Sequence, residues 1–300
     1  MTDATLPIQV GFIGLGNMGT PMAGHLLNAG LAVRGFDVDA TARNRLTDAG
    51  GTAVSTAAAA VDGSEITILM LPDSSVVEAV VGDAELQRAL KPDSVIVDMS
   101  SSEPLRTQAL AAELRRDGHA LIDAPVSGGV GGAVAATLTI MVGGSSADIE
   151  RAYPALSRLG KVTHVGEVGA GHALKALNNL LSATHLLSTS AALVTGLRFG
   201  LEPEVMLAVI NSSSGRSASS ENKLPKFILT ESYDSGFGLR LMLKDMRIAV
   251  GLARQLGCPD ELGEDAVGLW AQAADALPPA ADHTEIARWV QSQGRPASQS

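Results

Sequence analysis

The stretch that decides the fold is GFIGLGNMG, residues 11–19, which completes an apolar segment and precedes a helical pattern. Gly14, Gly16 and Gly19 have the G-x-G-x-x-G spacing of a dinucleotide-binding loop. In such a loop the first glycine allows a tight turn and the second lets the backbone approach a pyrophosphate. The third lets the helix pack closely on the strand. Glycine-rich turns are common, so the position between a strand and a helix is what makes this pattern specific.

Asp37 supports the same interpretation from the end of the next predicted strand. The segment LAVRGFD is apolar and ends in Asp37, 18 residues after Gly19. A carboxylate there accepts hydrogen bonds from the adenosine ribose hydroxyls and repels a 2′-phosphate, which favours NAD over NADP. Arg34 and Arg43 are close in sequence and could weaken that preference. The alternative role for Asp37 is that of an ordinary turn residue at a strand end.

Strands alternate with helices through the first half of the chain. Apolar strands are predicted at 8–14, 31–37, 65–72, 94–101, 119–126 and 138–144. This alternation predicts a parallel, doubly wound sheet. After about residue 168 only helices are predicted, at 170–199, 203–211, 241–256 and 260–275. We therefore expect an α/β chain with a Rossmann-type domain at 1–168 and an all-helical domain at 169–300, joined by the long helix 170–199.

Composition and charge exclude several classes of protein. The net charge is −10 and no basic cluster is present, which argues against a nucleic-acid partner. Cys258 is the only cysteine, which excludes an intrachain disulfide framework and a multi-cysteine metal site, and fits a reducing compartment. The N-terminal MTDATLP lacks a secretory pattern, so we expect a cytoplasmic protein. No metal-binding residues are predicted. The apolar segment 177–195 contains asparagine, histidine and hydroxyl residues, which favours a buried helix over a membrane span.

A lysine stands inside an apolar helical segment, GAGHALKALNNLLSA at 169–183. Burying an ammonium without a partner costs several kcal/mol, so Lys175 needs a reason to be there. Asn179 follows one turn later on the same predicted helix face. The simplest explanation is a lysine whose aliphatic stem covers apolar neighbours while its charge reaches water.

Four segments, in order along the chain, resemble the β-hydroxyacid dehydrogenase family, which includes 3-hydroxyisobutyrate dehydrogenase and tartronate semialdehyde reductase. FIGLGNMGTPMA is similar to the family's N-terminal signature, and DAPVSGGVGGA to its substrate-binding motif. GAGHALKALNN is similar to the catalytic motif, and GFGLRLMLKDMRIA to the segment that closes over cofactor and substrate. The resemblance extends from about residue 8 to 281–289. One departure is Ala136, where the family pattern usually has a glycine before TLT.

The resemblance implies an NAD-dependent enzyme that interconverts a small 3-hydroxy acid and its semialdehyde or keto acid by hydride transfer. Lys175 is then the general acid/base, because partial burial beside a positive nicotinamide ring lowers the pKa of a lysine. Asn179 reaches the substrate or holds the lysine. The implied substrate-binding residues are Ser127, Gly128, Gly129 and Lys244. The implied cofactor-binding residues are Gly14, Leu15, Gly16, Asn17, Met18, Gly19, Asp37, Leu71, Pro72, Ser100, Phe237 and Lys244.

Several alternatives stay open at the level of sequence. The rivals are an imine reductase and a catalytically silent dinucleotide-binding module; relatives of both kinds generally lack the lysine, so Lys175 argues against them. His172 is either a second acid or a structural residue. Arg216 either pairs with a second anionic group on the substrate or caps a helix. The apolar helical half predicts a homodimer or homotetramer. The hydroxy acid itself and the direction of the reaction are not specified by these patterns.

Overall fold

The computed structural model of the chain describes residues 7–293. Residues 1–6, which belong to the segment MTDATLP discussed above, and the polar tail from residue 294 lie outside the described residues. The chain divides into two compact units, the first ending at Lys175 and the second beginning at Ala176.

The first unit is built on one nine-stranded sheet with the order β3-β2-β1-β4-β5-β6-β8-β7, and β9 lies beside β8. The strands are β1 Gln9–Ile13, β2 Ala32–Phe36, β3 Thr52–Ala53, β4 Ile66–Leu69, β5 Val95–Asp98, β6 Ala120–Asp123, β7 Val126–Ser127, β8 Leu138–Gly143 and β9 Gly160–Gly166. Pairing is parallel from β3 to β6 and between β8 and β9, while β8 runs antiparallel to β6 and β7. The predicted parallel sheet is confirmed, with an antiparallel insertion at one side.

Helices cover both faces of this sheet, as a doubly wound fold requires. They are α1 Gly19–Asn28, α2 Ala40–Asp48, α3 Ala57–Val61, α4 Ser74–Val81, α5 Ala84–Ala89, α6 Pro104–Arg116, α7 Gly129–Ala135 and α8 Ser146–Leu156. Successive strand residues point to opposite faces. Phe12 and Ile68 therefore belong to one buried cluster, and their neighbours Ile13 and Leu69 to a second. The two clusters form the core on either side of the sheet.

The second unit is helical. Helix α9, Ala170–Phe199, starts in the first unit and continues through the second, which also contains α10 Pro203–Asn211, α11 Leu239–Gln255, α12 Glu261–Ala276 and α13 Ile286–Ser292. The four helices predicted from sequence are all present. A π-helix at Ser219–Ile228 and a 3-10 helix at His283–Glu285 were not predicted. Trp270 and Ile286 are fully buried at the centre of this unit's core.

Helix α9 is less buried than the sequence predicts. Among the described residues it is the one helix whose length and composition would let it cross a membrane, a weak indication because core helices of soluble proteins share both properties. Only 33% of its most apolar window is buried within the chain. Leu177 and Leu181 are among the exposed leucines on it. The helix is therefore buried on one side, and apolar side chains remain on the other.

Candidate active site

The glycine loop joins the end of β1 to the start of α1, and two of its glycines are required by the fold. Gly14 has φ +97, and a Cβ there would meet the carbonyl oxygen of Met70. A Cβ on Gly19 would meet the carbonyl oxygen of Gly14. At Gly16, by contrast, a Cβ would have no described heavy atom within 4 Å. The backbone at Gly16 therefore faces open space of the kind a pyrophosphate needs.

The N-terminus of α1 is suited to an anion. No described side chain caps it, and its first turn contains no acidic residue. Helices α2, α4 and α5 differ, because each begins with an aspartate whose carboxylate accepts backbone N–H bonds: Asp39, Asp73 and Asp83. An uncapped first turn presents N–H donors and the positive end of the helix dipole to a bound phosphate. The residues present therefore fit a dinucleotide.

Asp37 lies directly beside this loop, where the sequence predicts the adenosine ribose. Its Oδ2 accepts the backbone N–H of Leu15 at 2.7 Å, and its Oδ1 accepts that of Asp39 at 2.8 Å. Each carboxylate oxygen has a further lone pair, so the fixed carboxylate can also accept ribose hydroxyls. Asp37 is thus more than a strand-end turn residue.

The two nearby arginines are both engaged with backbone oxygens. Arg43 donates to the carbonyl oxygen of Asp37 at 2.6 Å, and Arg34 donates to that of Asp62 at 2.8 Å. Arg34 also lies 3.7 Å from the exposed carboxylate of Asp62. Neither guanidinium is paired with the Asp37 carboxylate, which keeps its negative charge available to repel a 2′-phosphate.

The loops after β4 and β5 are joined by Ser100. Its Oγ accepts the backbone N–H of Leu71 at 2.9 Å, and its own N–H donates to Asp98 Oδ1 at 2.9 Å. Leu71 and Ser100 are thus brought together beyond the carboxyl ends of neighbouring parallel strands, where ligands bind in this type of sheet. Pro72 follows directly in the same loop.

Two buried aspartates at the ends of neighbouring strands were not identified from the sequence as site residues. Asp98 ends β5 and Asp123 ends β6, and the two are partners in the strand register. Asp123 accepts the backbone N–H of Gly169 at 2.7 Å and that of His172 at 2.8 Å, so it caps the first turn of α9. Burial raises the pKa of Asp123, while His172 and the two N–H groups act in the opposite direction. The available signal was an apolar strand that ends in aspartate, SVIVD and ALID.

Space for the Asp123 carboxylate is provided by two glycines. A Cβ on Gly143 would lie 2.5 Å from Asp123 Oδ1, and one on Gly171 would lie 2.8 Å from Oδ2. Gly171, in the motif GAGHALK, therefore allows the Asp123 carboxylate to pack against the start of α9. His172, the next residue, has a fully buried side chain, so the structure gives no access for a substrate to use it as a second acid.

The predicted carboxylate-binding turn follows β7. Gly128 has φ +132 and Gly129 has φ +59, conformations that side-chain-bearing residues rarely adopt, and Ser127 precedes them. Helix α7 then ends at Ala135, and the next residue, Ala136, is left-handed with φ 54 and ψ 38. The usual glycine of the family pattern is explained by this conformation. Alanine at position 136 therefore adds backbone strain, and no functional side chain is lost relative to the family's glycine.

Lys175 and Asn179 lie four residues apart on α9. Lys175 is 8% exposed, so it is not a surface lysine that carries its charge into water. Asn179 is also buried, and its Nδ2 donates to Asp245 Oδ2 at 2.6 Å. Lys244 Nζ lies 3.4 Å from Asp245 Oδ1. In the second unit, Asp245 thus contacts both Asn179 and Lys244, and its hydrogen bond with Asn179 was not predicted from the sequence.

Phe237, a predicted cofactor residue of the second unit, is fixed by the segment ADHTEIARW. Its backbone N–H donates to Asp282 Oδ2 at 3.2 Å, and its carbonyl accepts the N–H of His283 at 2.8 Å. Its ring packs edge-on against the His283 ring, 5.7 Å between centroids. Arg216, whose two predicted roles were a substrate contact and a helix cap, is exposed and pairs with Glu221 at 2.7 Å. Within residues 7–293, no group of three or more His, Cys, Asp or Glu side chains could hold a metal ion.

The glycine turn, the uncapped helix, the carboxylate at the end of β2 and the joined loops after β4 and β5 define a Rossmann-type dinucleotide-binding protein. Residues 9–167 match the family described as the NAD-binding domain of 6-phosphogluconate dehydrogenase. Residues 169–290 match the family described as NAD-binding of NADP-dependent 3-hydroxyisobutyrate dehydrogenase.

Individual relatives extend over nearly the whole chain. A 2-(hydroxymethyl)glutarate dehydrogenase from Eubacterium barkeri is 42% identical over 84% of this chain and 84% of its own length. A mitochondrial 3-hydroxyisobutyrate dehydrogenase from Bos taurus is 38% identical over 86% of this chain and 79% of its own. A solved 3-hydroxyisobutyrate dehydrogenase from Mycobacterium tuberculosis, with L-serine, has a TM-score of 0.90 at 31% identity and covers 95% of this chain and 99% of that one.

The chain belongs to the β-hydroxyacid dehydrogenase family. It is a nicotinamide-dependent hydroxyacid dehydrogenase, and both the family matches and the Asp37 carboxylate support NAD as its cofactor.

Proposed function

We propose that the protein interconverts a small 3-hydroxy acid and its semialdehyde or keto acid with NAD, using Lys175 as the general acid/base. The observation that carries this proposal is a lysine that is 8% exposed, in the first turns of the helix whose N-terminus is capped by Asp123. A buried lysine needs a functional or electrostatic reason, because desolvation favours its neutral amine. A neutral amine is the form that can accept a proton from a hydroxyl group.

In the oxidation, Lys175 takes the proton of the substrate hydroxyl as a hydride leaves the carbon that bears this hydroxyl. NAD⁺ supplies the hydride acceptor when it is bound. The hydroxyl of Ser127 and the backbone N–H groups of Gly128 and Gly129 hold the substrate carboxylate, since a nest of amides binds an anion without a full positive charge. Asn179 and Lys244 are assigned to the same substrate, and both are held by the buried Asp245.

The proposed cofactor-binding residues form two groups, one for each half of the dinucleotide. The glycine loop binds the pyrophosphate through Gly14, Leu15, Gly16, Asn17, Met18 and Gly19, with Asp37 on the ribose. Leu71, Pro72, Ser100, Phe237 and Lys244 are assigned to the remainder of the cofactor. Because Asp37 repels a 2′-phosphate, we expect kcat/KM with NAD to exceed that with NADP by at least roughly tenfold, or about 1.4 kcal/mol.

We further propose that the chain is a cytoplasmic homodimer or homotetramer, with residues 1–168 as the NAD-binding domain and 169–300 as the helical domain. The described part of the second unit exposes eleven large apolar side chains, against six in the longer first unit. A cavity of about 450 Å³ opens between α9, α12 and α13, with Leu187, Leu269 and Trp289 among its lining residues. Exposed apolar surface of this extent marks an interaction site, and a second copy is the simplest partner. Neither a nucleic acid nor a membrane is proposed.

The activity is tested by following NADH at 340 nm with a panel of 3-hydroxy acids, with NAD and NADP in parallel. The panel contains 3-hydroxyisobutyrate, 2-(hydroxymethyl)glutarate, L-serine and glycerate, because one-carboxylate and two-carboxylate acids differ in what binds beyond the Ser127 turn. A cyclic imine with NADPH is the comparison arm. Turnover of at least one hydroxy acid supports the proposal. Turnover of the imine alone, or binding of NAD without turnover of any compound, contradicts it.

The oligomeric state is tested by light scattering of the eluted protein. Leu181→Glu on α9 and Leu262→Glu on α12 place a charge on the exposed apolar surface, and we expect each to shift the protein toward monomer. Leu105→Glu, at an exposed leucine of the first unit, is the matched control and leaves the mass unchanged. A monomeric wild-type protein contradicts the proposal.

A further inference from the structure

His172 is a buried histidine for which neither the sequence patterns nor the proposed chemistry provides a role. Its side chain is fully buried, two residues after the start of α9. Nε2 lies 3.1 Å from the carbonyl oxygen of Ser100, and Nδ1 lies 2.9 Å from the hydroxyl of Thr107. Its backbone N–H donates to Asp123 Oδ2. One residue thus contacts the loop after β5, helix α6 and the end of β6.

The chemistry of these partners fixes part of the proton arrangement. The Ser100 carbonyl can only accept, so Nε2 carries a proton and donates it. The Thr107 hydroxyl lies 2.9 Å from Nδ1 and 3.1 Å from the Glu103 carbonyl oxygen, and it can donate to or accept from the ring. The Asp98 carboxylate lies 3.7 Å from Nε2, and the Asp123 carboxylate lies 3.8 Å from Nδ1. The ring therefore lies between two buried carboxylates and completes a fully connected polar network.

The contact to Ser100 is the one with consequences for the active site. Ser100 N–H donates to Asp98, Ser100 Oγ accepts the N–H of Leu71, and Ser100 carbonyl oxygen accepts from His172. The N–H, Oγ and carbonyl oxygen of Ser100 are thus each fixed by a hydrogen bond. Of these three bonds, the one from His172 comes from α9. Lys175 follows His172 by three residues, less than one helical turn. In addition to the Asp123 cap, the His172 side chain therefore links the first turns of α9, which include Lys175, to the joined loops after β4 and β5.

We propose that His172 is a positioning residue for hydride transfer: through its bond to the Ser100 carbonyl it fixes the first turns of α9, and so Lys175, against the loops predicted to border the nicotinamide. This inference rests on the proposed function, because it requires Lys175 to be the acid/base. Misplacement of a catalytic group by about 1 Å can cost up to about a hundredfold in rate, so a residue that never touches the substrate can still set kcat.

Two amide variants separate the two ring contacts of His172. In His172→Gln the terminal amide reaches about as far as Nε2 and can still donate to the Ser100 carbonyl. In His172→Asn the amide is one methylene shorter, so it reaches the Thr107 hydroxyl but not the Ser100 carbonyl. The two side chains are otherwise matched in polarity. His185→Asn, at an exposed histidine of the same helix, is the control.

The measurements are kcat and KM for the hydroxy acid found by the panel, the Kd of NAD, and the melting temperature. We expect His172→Asn to lower kcat by roughly ten- to a hundredfold, with KM and the Kd of NAD changed less than about threefold. We expect His172→Gln to retain kcat within about fivefold of wild type, and His185→Asn to match wild type. Wild-type kcat in His172→Asn overturns the proposal. Equal losses of kcat in the Gln and Asn variants also overturn it, since they mark a general structural role.

Thr107→Val provides a second route if His172→Asn does not fold. Valine has the shape of threonine but cannot bind Nδ1, so the histidine keeps its Ser100 contact and loses its other support. Because the proposal assigns the effect to the Ser100 bond, we expect kcat within about fivefold of wild type, and a kcat lowered by more than about tenfold overturns it. Lys175→Ala separates a failure of the His172 proposal from a failure of the proposed function. If that variant is slow while His172→Asn is normal, only the role of His172 fails; if Lys175→Ala is as fast as wild type, the proposed function fails.

Discussion

The two units of the chain use polar groups in different ways. In the first unit, the dinucleotide site consists mainly of backbone: glycines at Gly14 and Gly16, an uncapped helix start, and one carboxylate on Asp37. In the second unit, single aspartates such as Asp245 and Asp282 hold the predicted site residues through their side chains. The first unit also covers more of its large apolar side chains than the second. The difference indicates that backbone geometry shapes the predicted dinucleotide site of the first unit. In the second unit, charged side chains position the predicted site residues.

The largest expected effect is in the glycine loop and separates folding from cofactor binding. Gly14→Ala places a Cβ against the Met70 carbonyl at φ +97. We therefore expect a loss of at least about 3 kcal/mol in the free energy of unfolding, from backbone strain plus overlap. Gly16→Ala meets no described atom, so we expect wild-type stability but NAD binding weakened by roughly tenfold, or about 1.4 kcal/mol. Urea denaturation and NAD titration measure the two effects. Equal free energies of unfolding for Gly14→Ala and Gly16→Ala would contradict the different roles assigned to these two glycines.

A smaller effect tests the role of charge in the second unit. Burial alone would raise the pKa of Asp282, but hydrogen bonds from His283, Thr284 and Ser235 hold it well below its usual range. A carboxylate with a folded-state pKa below its unfolded value adds stability above about pH 4, and this is lost as the pH falls through the lower folded-state pKa. We expect Asp282→Asn to cost about 2 kcal/mol at pH 7, the scale of hydrogen bonds to a charged group.

The pH dependence distinguishes this from a loss of packing. The stability difference between Asp282→Asn and wild type should shrink as the pH is lowered from 5 to 3, because the wild-type carboxylate is then progressively protonated in the unfolded chain. Asp275→Asn, at an exposed aspartate of the same unit, is the matched control. A difference that stays constant across this range contradicts a charge-based role.

The smallest effect concerns the strained end of α7 in the first unit. Ala136 is left-handed with φ 54. Ala136→Gly removes the steric cost of that conformation but adds freedom to the unfolded chain, so we expect a net gain of up to about 1 kcal/mol. Ala135→Gly, one residue earlier in the helix, should instead lose roughly 0.5–1 kcal/mol. Thermal unfolding of the pair measures both, and changes of the same sign contradict the assignment of strain to Ala136.

Short-range patterns were sufficient to predict much of the first unit. The strands at β1, β2, β4, β5, β6 and β8 are apolar because both faces are covered, so each stands out in the sequence. β9 was missed because none of its residues is fully buried and it carries Lys161, Thr163 and His164. In the second unit, the π-helix was not predicted because it begins with the polar residues SSEN and contains Pro225.

The candidate site was predicted only where a local motif carries it. The glycine loop, Asp37 and the buried position of Lys175 are visible in single segments. The network of Asp98, Asp123 and His172 depends on which strands are neighbours and on their register, which no local pattern specifies. The pairing of Asn179 with Asp245 joins residues 66 apart in sequence, and it likewise required the fold.

The central claim, that Lys175 is the acid/base, is tested most directly by the single-turnover rate of NADH formation in Lys175→Ala. Lys161→Ala, at an exposed lysine of the first unit, is the matched control. We predict that Lys175→Ala binds NAD within about threefold of wild type, yet forms NADH at least roughly a hundredfold more slowly, the usual contribution of acid/base catalysis. A rate in Lys175→Ala equal to that of wild type and Lys161→Ala would contradict the account.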